Sequence, residues 1–101
     1  FNSIYAAAKA AVNNLTQSVA KELSGRKVRV NAISPGTINT PGVQDYFKAE
    51  PNAKKYLESS VLLERIGEPE DIGHAVVFLL SEKSNYITGQ IISVDGGSSI
   101  N

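Results

Sequence analysis

Tyr5 and Lys9 are the residues whose types and spacing best suit catalytic chemistry. They stand four residues apart in a segment with helical periodicity, and side chains at that spacing lie on one face of a helix. A phenol can exchange a proton with a substrate, and a nearby ammonium favours the ionised phenol. The pair alone is a weak motif, because a packing tyrosine beside a solvated lysine has the same spacing. Both interpretations stay open on this pair alone.

The segment from Asn31 to Thr40 offers a second group of candidate ligand-binding residues. Pro35 and Gly36 turn the chain after a predicted strand, and a glycine lets a flat ring approach the main chain. The main-chain groups and two threonine hydroxyls that follow suit an amide or a phosphate. Ligands of doubly wound sheets bind beyond the carboxyl ends of the strands, where this loop would lie. The alternative interpretation is a plain turn.

Periodicity and turn residues predict the elements that must position these groups. They are a helix from Ser3 to Ser24, a strand from Lys27 to Ser34, short helices Val43–Ala49 and Ala53–Glu58, a helix from Pro69 to Ser81 and a strand from Gln90 to Val94. Gly25 is expected to end the first helix. The apolar stripe of that helix consists of Ile4, Ala8, Ala11, Leu15, Val19 and Leu23, and it is expected to face the core of the protein.

The predicted order indicates an α/β fold with a parallel pair of strands. Two strands joined through a helix form a right-handed parallel crossover. The alternation in the first strand predicts that Val28, Val30 and Ala32 share one face. The last long helix is rich in apolar residues on several faces, so it is expected to be well buried. Two strands make a poor sheet alone, so we expect the sheet to continue in sequence outside this chain.

Composition limits the partners and the compartment. The 101 residues fit one domain, and ten basic residues balance ten acidic ones. This balance predicts neither a nucleic-acid partner nor a membrane partner. The absence of cysteine agrees with a reducing compartment. Because the chain begins with Phe1 and contains no methionine, we expect it to be part of a longer protein.

Several single side chains have structural interpretations. His74 is the only histidine and has no cysteine near it, so no metal site is expected. Glu70 and Asp71 suit the start of a helix. Asp95 is expected to hold a turn.

The ordered motifs resemble one family over nearly the whole chain. They are Tyr5-x-x-x-Lys9, Asn31 through Pro35-Gly36 to Thr40, Gly67-Glu68-Pro69-Glu70-Asp71-Ile72, Thr88-Gly89 and Asp95-Gly96-Gly97. Each motif is weak singly, but this order and spacing resemble the C-terminal part of a short-chain dehydrogenase/reductase. The resemblance implies the C-terminal portion of a Rossmann-type doubly wound parallel sheet. Residues 1–101 would then be the C-terminal part of one NAD(P)-binding domain whose N-terminal, cofactor-binding half lies outside this chain.

The resemblance also implies site residues and a cofactor. Tyr5 would pass a proton to or from the substrate oxygen, while NAD or NADP carries the hydride. Lys9 would support the ionised phenol and bind the nicotinamide ribose. The nicotinamide pocket would be lined by Pro35, Gly36 and Ile38, with the main chain of Ile38 meeting the carboxamide. Thr40 would bind the carboxamide or the pyrophosphate.

The resemblance further implies partners and limits. The substrate would be a small alcohol or carbonyl compound, held by a variable segment from Pro41 to about Leu63 that is mobile until ligand binds. The protein would be a cytoplasmic homodimer or homotetramer, and its dimer would form through the first helix. The family's catalytic serine and phosphate loop lie upstream of these residues, so the chain alone is expected to be inactive. A non-catalytic packing or oligomerisation module is the alternative.

The chain departs from the family pattern at two positions. Leu62 and Glu64 stand where many members carry proline and glycine. The end of the substrate segment is therefore atypical.

Overall fold

The computed structural model describes residues 2–101. Its helices are α1 (Asn2–Glu22), α2 (Pro41–Ala49), α3 (Pro51–Ser59) and α4 (Pro69–Leu80), and its strands are β1 (Ala32–Pro35) and β2 (Ile91–Val94). Short 3₁₀ helices cover Ser24–Arg26, Glu82–Ser84 and Ser98–Ile100. The chain consists of two compact units. One contains the residues up to Ala32 together with Phe78–Ile92, and the other contains Ile33–Val77 and Ser93–Asn101.

The two strands form a parallel pair. The N–H of Ala32 donates to the carbonyl of Gln90 over 2.8 Å, and the N–H of Gly36 donates to that of Val94 over 3.0 Å. Both partners advance by four residues, so the strands run in the same direction. The predicted α/β class with two parallel strands is confirmed.

The predicted start of the first strand was wrong. β1 begins at Ala32 rather than Lys27, because Lys27 lies in the left-handed region with φ 56°. The N–H of Val30 is bound by the Thr88 hydroxyl, over 3.0 Å, instead of by a neighbouring strand. The Thr88 side chain therefore takes the place of one main-chain partner, while the carbonyl of Val30 still accepts from the N–H of Gly89 over 2.7 Å.

The residues before β1 differ in their exposure to solvent. Val28 is exposed, whereas Arg29 is half-buried. The Arg29 guanidinium donates to the carbonyls of Leu79, Ile87 and Ser81 at 2.8, 3.2 and 3.3 Å. These hydrogen bonds satisfy the charged group where it is partly removed from water.

Helix α1 is confirmed, but it buries a different face from the predicted one. Its buried residues are Thr16 and Ala20, whereas Ile4 and Leu15 are 75% and 60% exposed. The Thr16 hydroxyl donates to the carbonyl of Val12 over 2.9 Å, which satisfies it within the helix. Gly25 does not end the helix as predicted, because it lies within the 3₁₀ helix Ser24–Arg26 that follows.

Helices α2 and α3 are confirmed and begin two residues earlier than predicted. Pro41 and Pro51 occupy their first turns, where proline loses no helical hydrogen bond. Neither helix contains a buried residue. Their apolar residues Val43, Phe47, Ala53 and Leu57 are only half-buried, so both helices are partly covered by the described residues.

Helix α4 is confirmed, but its predicted burial was wrong. Leu79 is its buried residue, and Leu80 is 79% exposed. Its C-terminal carbonyls are met by the buried Ser84 hydroxyl, which lies 2.8 Å from the carbonyl oxygen of Phe78 and 2.9 Å from that of Leu79. Among residues 2–101, no helix is both long enough and apolar enough to cross a membrane.

Candidate active site

Tyr5 and Lys9 lie together on α1. The Lys9 ammonium nitrogen is 5.4 Å from the centroid of the Tyr5 ring, within the range of a cation–π contact. Tyr5 is 63% exposed, and its hydroxyl makes no hydrogen bond within residues 2–101. The phenol is thus open to a ligand and has a cation beside it.

Pro35 and Gly36 lie where β1 ends, in the second unit. The need for glycine here has a packing cause. A Cβ on Gly36 would lie 2.8 Å from the Cα of Asp95, so a larger residue would collide with main-chain atoms. The predicted approach of a flat ring at Gly36 stays a prediction.

Ile38 presents a free main-chain donor. Its N–H finds no acceptor among the described residues, while its carbonyl accepts from the N–H of Thr40 over 2.8 Å. Ile38 pairs with Gly67 in an isolated parallel bridge, a pairing that directs the N–H of Ile38 away from Gly67. The loop therefore offers the N–H of Ile38 as an unpaired donor, between residues whose main chain is held by Gly67.

Thr40 is the N-cap residue of α2, a role that was not predicted from the sequence. Its hydroxyl oxygen accepts from the N–H of Val43 over 3.4 Å. A threonine followed by proline is a common start of a helix, and this pattern could have identified the cap. Since an accepting hydroxyl still carries its own proton, Thr40 keeps a donor for a ligand.

An ion pair closes the loop between Ile66 and α4. Arg65 donates to both carboxylate oxygens of Asp71, over 2.8 and 3.1 Å. Asp71 also accepts from the N–H of Glu68 over 2.7 Å, as the third helical residue does in a capping box. The predicted role of Asp71 at the helix start is confirmed, but its pairing with Arg65 was missed. Hydrogen bonds from Arg65 and from the N–H of Glu68 lower the pKa of Asp71 to about 2.

A second polar group joins the same loop to α2. The Asn39 side-chain amide donates to the Glu68 carboxylate over 3.2 Å. Its carbonyl oxygen accepts from the Gln44 side chain over 3.0 Å. The residues on both sides of Ile38 are therefore tied to neighbouring elements.

A cavity of about 470 Å³ opens in the second unit, a volume typical of small-molecule sites. Apolar side chains of Ile38 and of Val61–Leu63 line it together with the Arg65–Asp71 pair and the Asp95–Gly97 turn. This cavity was not predicted, because it forms from segments far apart in the sequence.

Comparisons with known proteins place the chain in a family. The sequence profile of the family described as Enoyl-(Acyl carrier protein) reductase matches residues 1–99. The 3-oxoacyl-[acyl-carrier-protein] reductase of Thermotoga maritima is 45% identical over 93 residues, which cover 92% of this chain and 37% of that protein. The crystal structure of a short chain dehydrogenase family protein from Francisella tularensis superposes with a TM-score of 0.86 at 35% identity, covering 96% of this chain and 43% of that one. The chain belongs to the short-chain dehydrogenase/reductase family.

Another solved relative of this short-chain dehydrogenase/reductase carries a cofactor. The structure of 4-hydroxyisoleucine dehydrogenase in complex with NADH superposes with a TM-score of 0.89 at 31% identity, covering 98% of this chain and 40% of that one. The chain spans about two fifths of the length of the curated relatives it matches. The match supports a partial Rossmann-type fold and the use of nicotinamide cofactors within the family.

The carboxylate of Asp95 has the predicted structural role. Asp95 accepts from the N–H groups of Gly97 and Ser99, over 2.9 and 3.0 Å. Hydrogen bonding to the Ser99 side chain and to these N–H groups lowers the pKa of Asp95. Its lone pairs are committed to the turn after β2. Asp95 is therefore a poor candidate for proton transfer.

Proposed function

We propose that this chain is the C-terminal part of one Rossmann-like domain in an NAD(P)-dependent oxidoreductase that interconverts an alcohol and a carbonyl compound. The observation that carries the proposal is the Tyr5–Lys9 pair, with the ammonium 5.4 Å from the ring of an exposed tyrosine. Family membership adds support, because relatives are named as reductases and dehydrogenases. Their greater length supports an N-terminal half outside this chain.

Tyr5 is the proton-transfer residue in this proposal. In the reducing direction its hydroxyl gives a proton to the substrate oxygen and becomes a phenolate, and in the oxidising direction the phenolate takes that proton back. Lys9 stabilises the phenolate by its positive charge. A nicotinamide dinucleotide, when bound, would supply or accept the hydride. Lys9 would also donate to the nicotinamide ribose.

The loop after β1 provides the candidate nicotinamide contacts. The free N–H of Ile38 suits the oxygen of a carboxamide, since an unpaired donor needs an acceptor. Thr40 retains a hydroxyl proton for the carboxamide or the pyrophosphate, and Pro35 and Gly36 would line the ring. These residues fit a nicotinamide dinucleotide, either NAD or NADP.

The segment from Pro41 to Leu63 would hold the substrate. Its two helices contain no buried residue, so their position costs little to change. Leu62 and Leu63 are exposed side chains that line the cavity. Movement of this segment on ligand binding agrees with these observations.

The test is Tyr5→Phe in the intact enzyme that carries these residues. Loss of the proton donor should lower kcat by about 10²-fold to 10⁴-fold, because this is the range of general acid–base catalysis. The dissociation constant for the cofactor should change little. Tyr86→Phe is the matched control, since Tyr86 is fully exposed. Full turnover in the Tyr5→Phe variant would refute the assignment.

A second candidate function is a packing or oligomerisation module without catalysis. Ile4 and Leu15 support it, because both are exposed on one face of the alanine-rich α1. The intact protein that carries these residues would then be a homodimer through α1 or a homotetramer. Light scattering after size-exclusion chromatography tests this candidate. If the protein stays monomeric even at high concentration, this candidate function is wrong.

A further inference from the structure

The main chain of Gly67 binds the residues on both sides of Ile38. The N–H of Gly67 donates to the carbonyl of Thr37 over 2.9 Å, and the N–H of Asn39 donates to the carbonyl of Gly67 over 2.8 Å. These two bonds hold the peptide groups that flank Ile38. They leave its own N–H unpaired and fix the direction in which it points.

The side chain of Ile38 also rests on Gly67. A Cβ built on Gly67 would lie 2.6 Å from the Cδ1 atom of Ile38. Any residue larger than glycine at position 67 would require the Ile38 side chain to move. Gly67 therefore sets both the main-chain and the side-chain position of Ile38.

Asp71 holds the segment that contains Gly67. Its carboxylate binds the guanidinium of Arg65 on one side of Gly67 and the N–H of Glu68 on the other. Arg65 donates in addition to the carbonyl of Ile66 over 3.1 Å. One carboxylate thus closes a loop of seven residues around Gly67. Without it, the chain on either side of Gly67 loses its common anchor.

We propose that Asp71 is a positioning residue for the nicotinamide end of the cofactor, acting through Arg65 and Gly67 on the N–H of Ile38. The inference rests on the proposed function, in which that N–H meets the carboxamide. Asp71 itself touches no reacting atom. Its removal should weaken only the contacts made at the nicotinamide end.

The experiment compares two ligands of the intact enzyme by isothermal titration calorimetry. One is the complete nicotinamide dinucleotide, and the other is ADP-ribose, which lacks the nicotinamide ring. Asp71→Ala should weaken binding of the complete dinucleotide by about fivefold to tenfold, as expected for one lost hydrogen bond. It should leave the affinity for ADP-ribose unchanged.

Two further variants complete the design. Asp71→Asn keeps an acceptor oxygen for the N–H of Glu68, so it should lose less affinity for the complete dinucleotide than Asp71→Ala does. It also replaces the alanine variant in the comparison if that variant does not fold. Glu82→Gln neutralises an exposed carboxylate in the 3₁₀ helix Glu82–Ser84, outside both the Ile38 loop and the proposed substrate segment. This control should change neither affinity.

The outcomes separate the inference from the proposed function. Equal weakening of both ligands by the Asp71 variants would give Asp71 a purely structural role and overturn the inference. Unchanged binding of both ligands would also overturn it. If the unsubstituted enzyme bound no nicotinamide dinucleotide, the proposed function itself would fail and this role with it. Full activity of Tyr5→Phe alongside the expected Asp71 result would instead refute only the role of Tyr5.

Discussion

Gly36 lies against the main chain of Asp95, and each of these residues directly follows one of the paired strands. A Cβ on Gly36 would be 2.8 Å from the Cα of Asp95 and 3.2 Å from its carbonyl oxygen. The N–H of Gly36 donates to the carbonyl of Val94, so the two chains stay paired up to this point. The close approach joins the proposed nicotinamide loop to the turn held by Asp95.

Gly36→Ala should lower the free energy of unfolding by about 1 to 3 kcal/mol, because the added methyl group meets main-chain atoms that cannot rotate away. Gly73→Ala is the matched control. Gly73 lies inside α4, and no neighbouring atom lies within 4 Å of the position of an added methyl group. Gly73→Ala should therefore stabilise the helix by about 1 kcal/mol. Denaturation by urea measures both changes. Equal stability of Gly36→Ala and the unsubstituted protein would contradict the packing explanation.

Glu64→Gly should stabilise the protein. Glu64 has φ 54°, in the left-handed region that favours glycine, and the resemblance places glycine at this position in many relatives. Removing the strain of a left-handed non-glycine residue should add about 1 to 2 kcal/mol to the free energy of unfolding. The greater chain entropy that glycine loses on folding offsets roughly 0.5 to 1 kcal/mol of this gain. The expected net gain is about 1 kcal/mol, measured by urea denaturation. Glu50→Gly, at φ −127°, should destabilise the protein, and a gain there would show that the φ argument is wrong.

The start of α4 at Pro69 was predictable because proline acts locally, whereas α2 and α3 were predicted to begin two residues late, after Pro41 and Pro51. Pro41, Pro51 and Pro69 each begin a helix in the structure. Proline fixes φ and needs no N–H partner in the first turn, so the effect depends on few distant contacts. The start of β1 at Ala32 was not predictable in this way, because it depends on a distant residue, Thr88, whose hydroxyl binds the N–H of Val30.

The candidate site was predictable as residue types but only partly as geometry. The spacing of Tyr5 and Lys9 correctly placed them together on one helix. The Arg65–Asp71 pair was missed, because Arg65 precedes the helix and its partner depends on how the loop closes. The buried face of α1 was missed for a related reason. Apolar periodicity identifies a stripe, but the neighbouring elements decide which stripe is covered.

The Asp71 carboxylate should take up its proton at a lower pH than an ordinary aspartate. Hydrogen bonds from Arg65 and Glu68 lower its pKa from the ordinary 3.8 to about 2. A lowered folded-state pKa stabilises the protein above pH 3.8, and this contribution is lost as the pH falls towards 2. Carbon-13 NMR of the Asp71 carboxyl group should show a midpoint near pH 2. Arg65→Gln should raise that midpoint, and an unchanged midpoint would contradict the assigned cause.

The contact between Gly67 and Ile38 should appear as an energetic coupling. Gly67→Ala places a methyl group against the Cδ1 atom at the end of the Ile38 side chain and should cost about 0.5 to 1.5 kcal/mol of unfolding free energy, as expected for a side chain forced from its rotamer. Ile38→Val removes that Cδ1 atom and alone should cost about 0.5 to 1.5 kcal/mol.

The double variant should cost less than the sum of the single ones, because valine leaves room for the added methyl group. Residues in contact show coupling of about 0.5 to 3 kcal/mol in such double-mutant cycles. The four proteins of the cycle are compared by urea denaturation. Gly42→Ala with Ile38→Val is the control cycle, since no atom lies within 4 Å of a methyl group on Gly42. Additive costs in the Gly67–Ile38 cycle would mean that Gly67 does not set the position of Ile38.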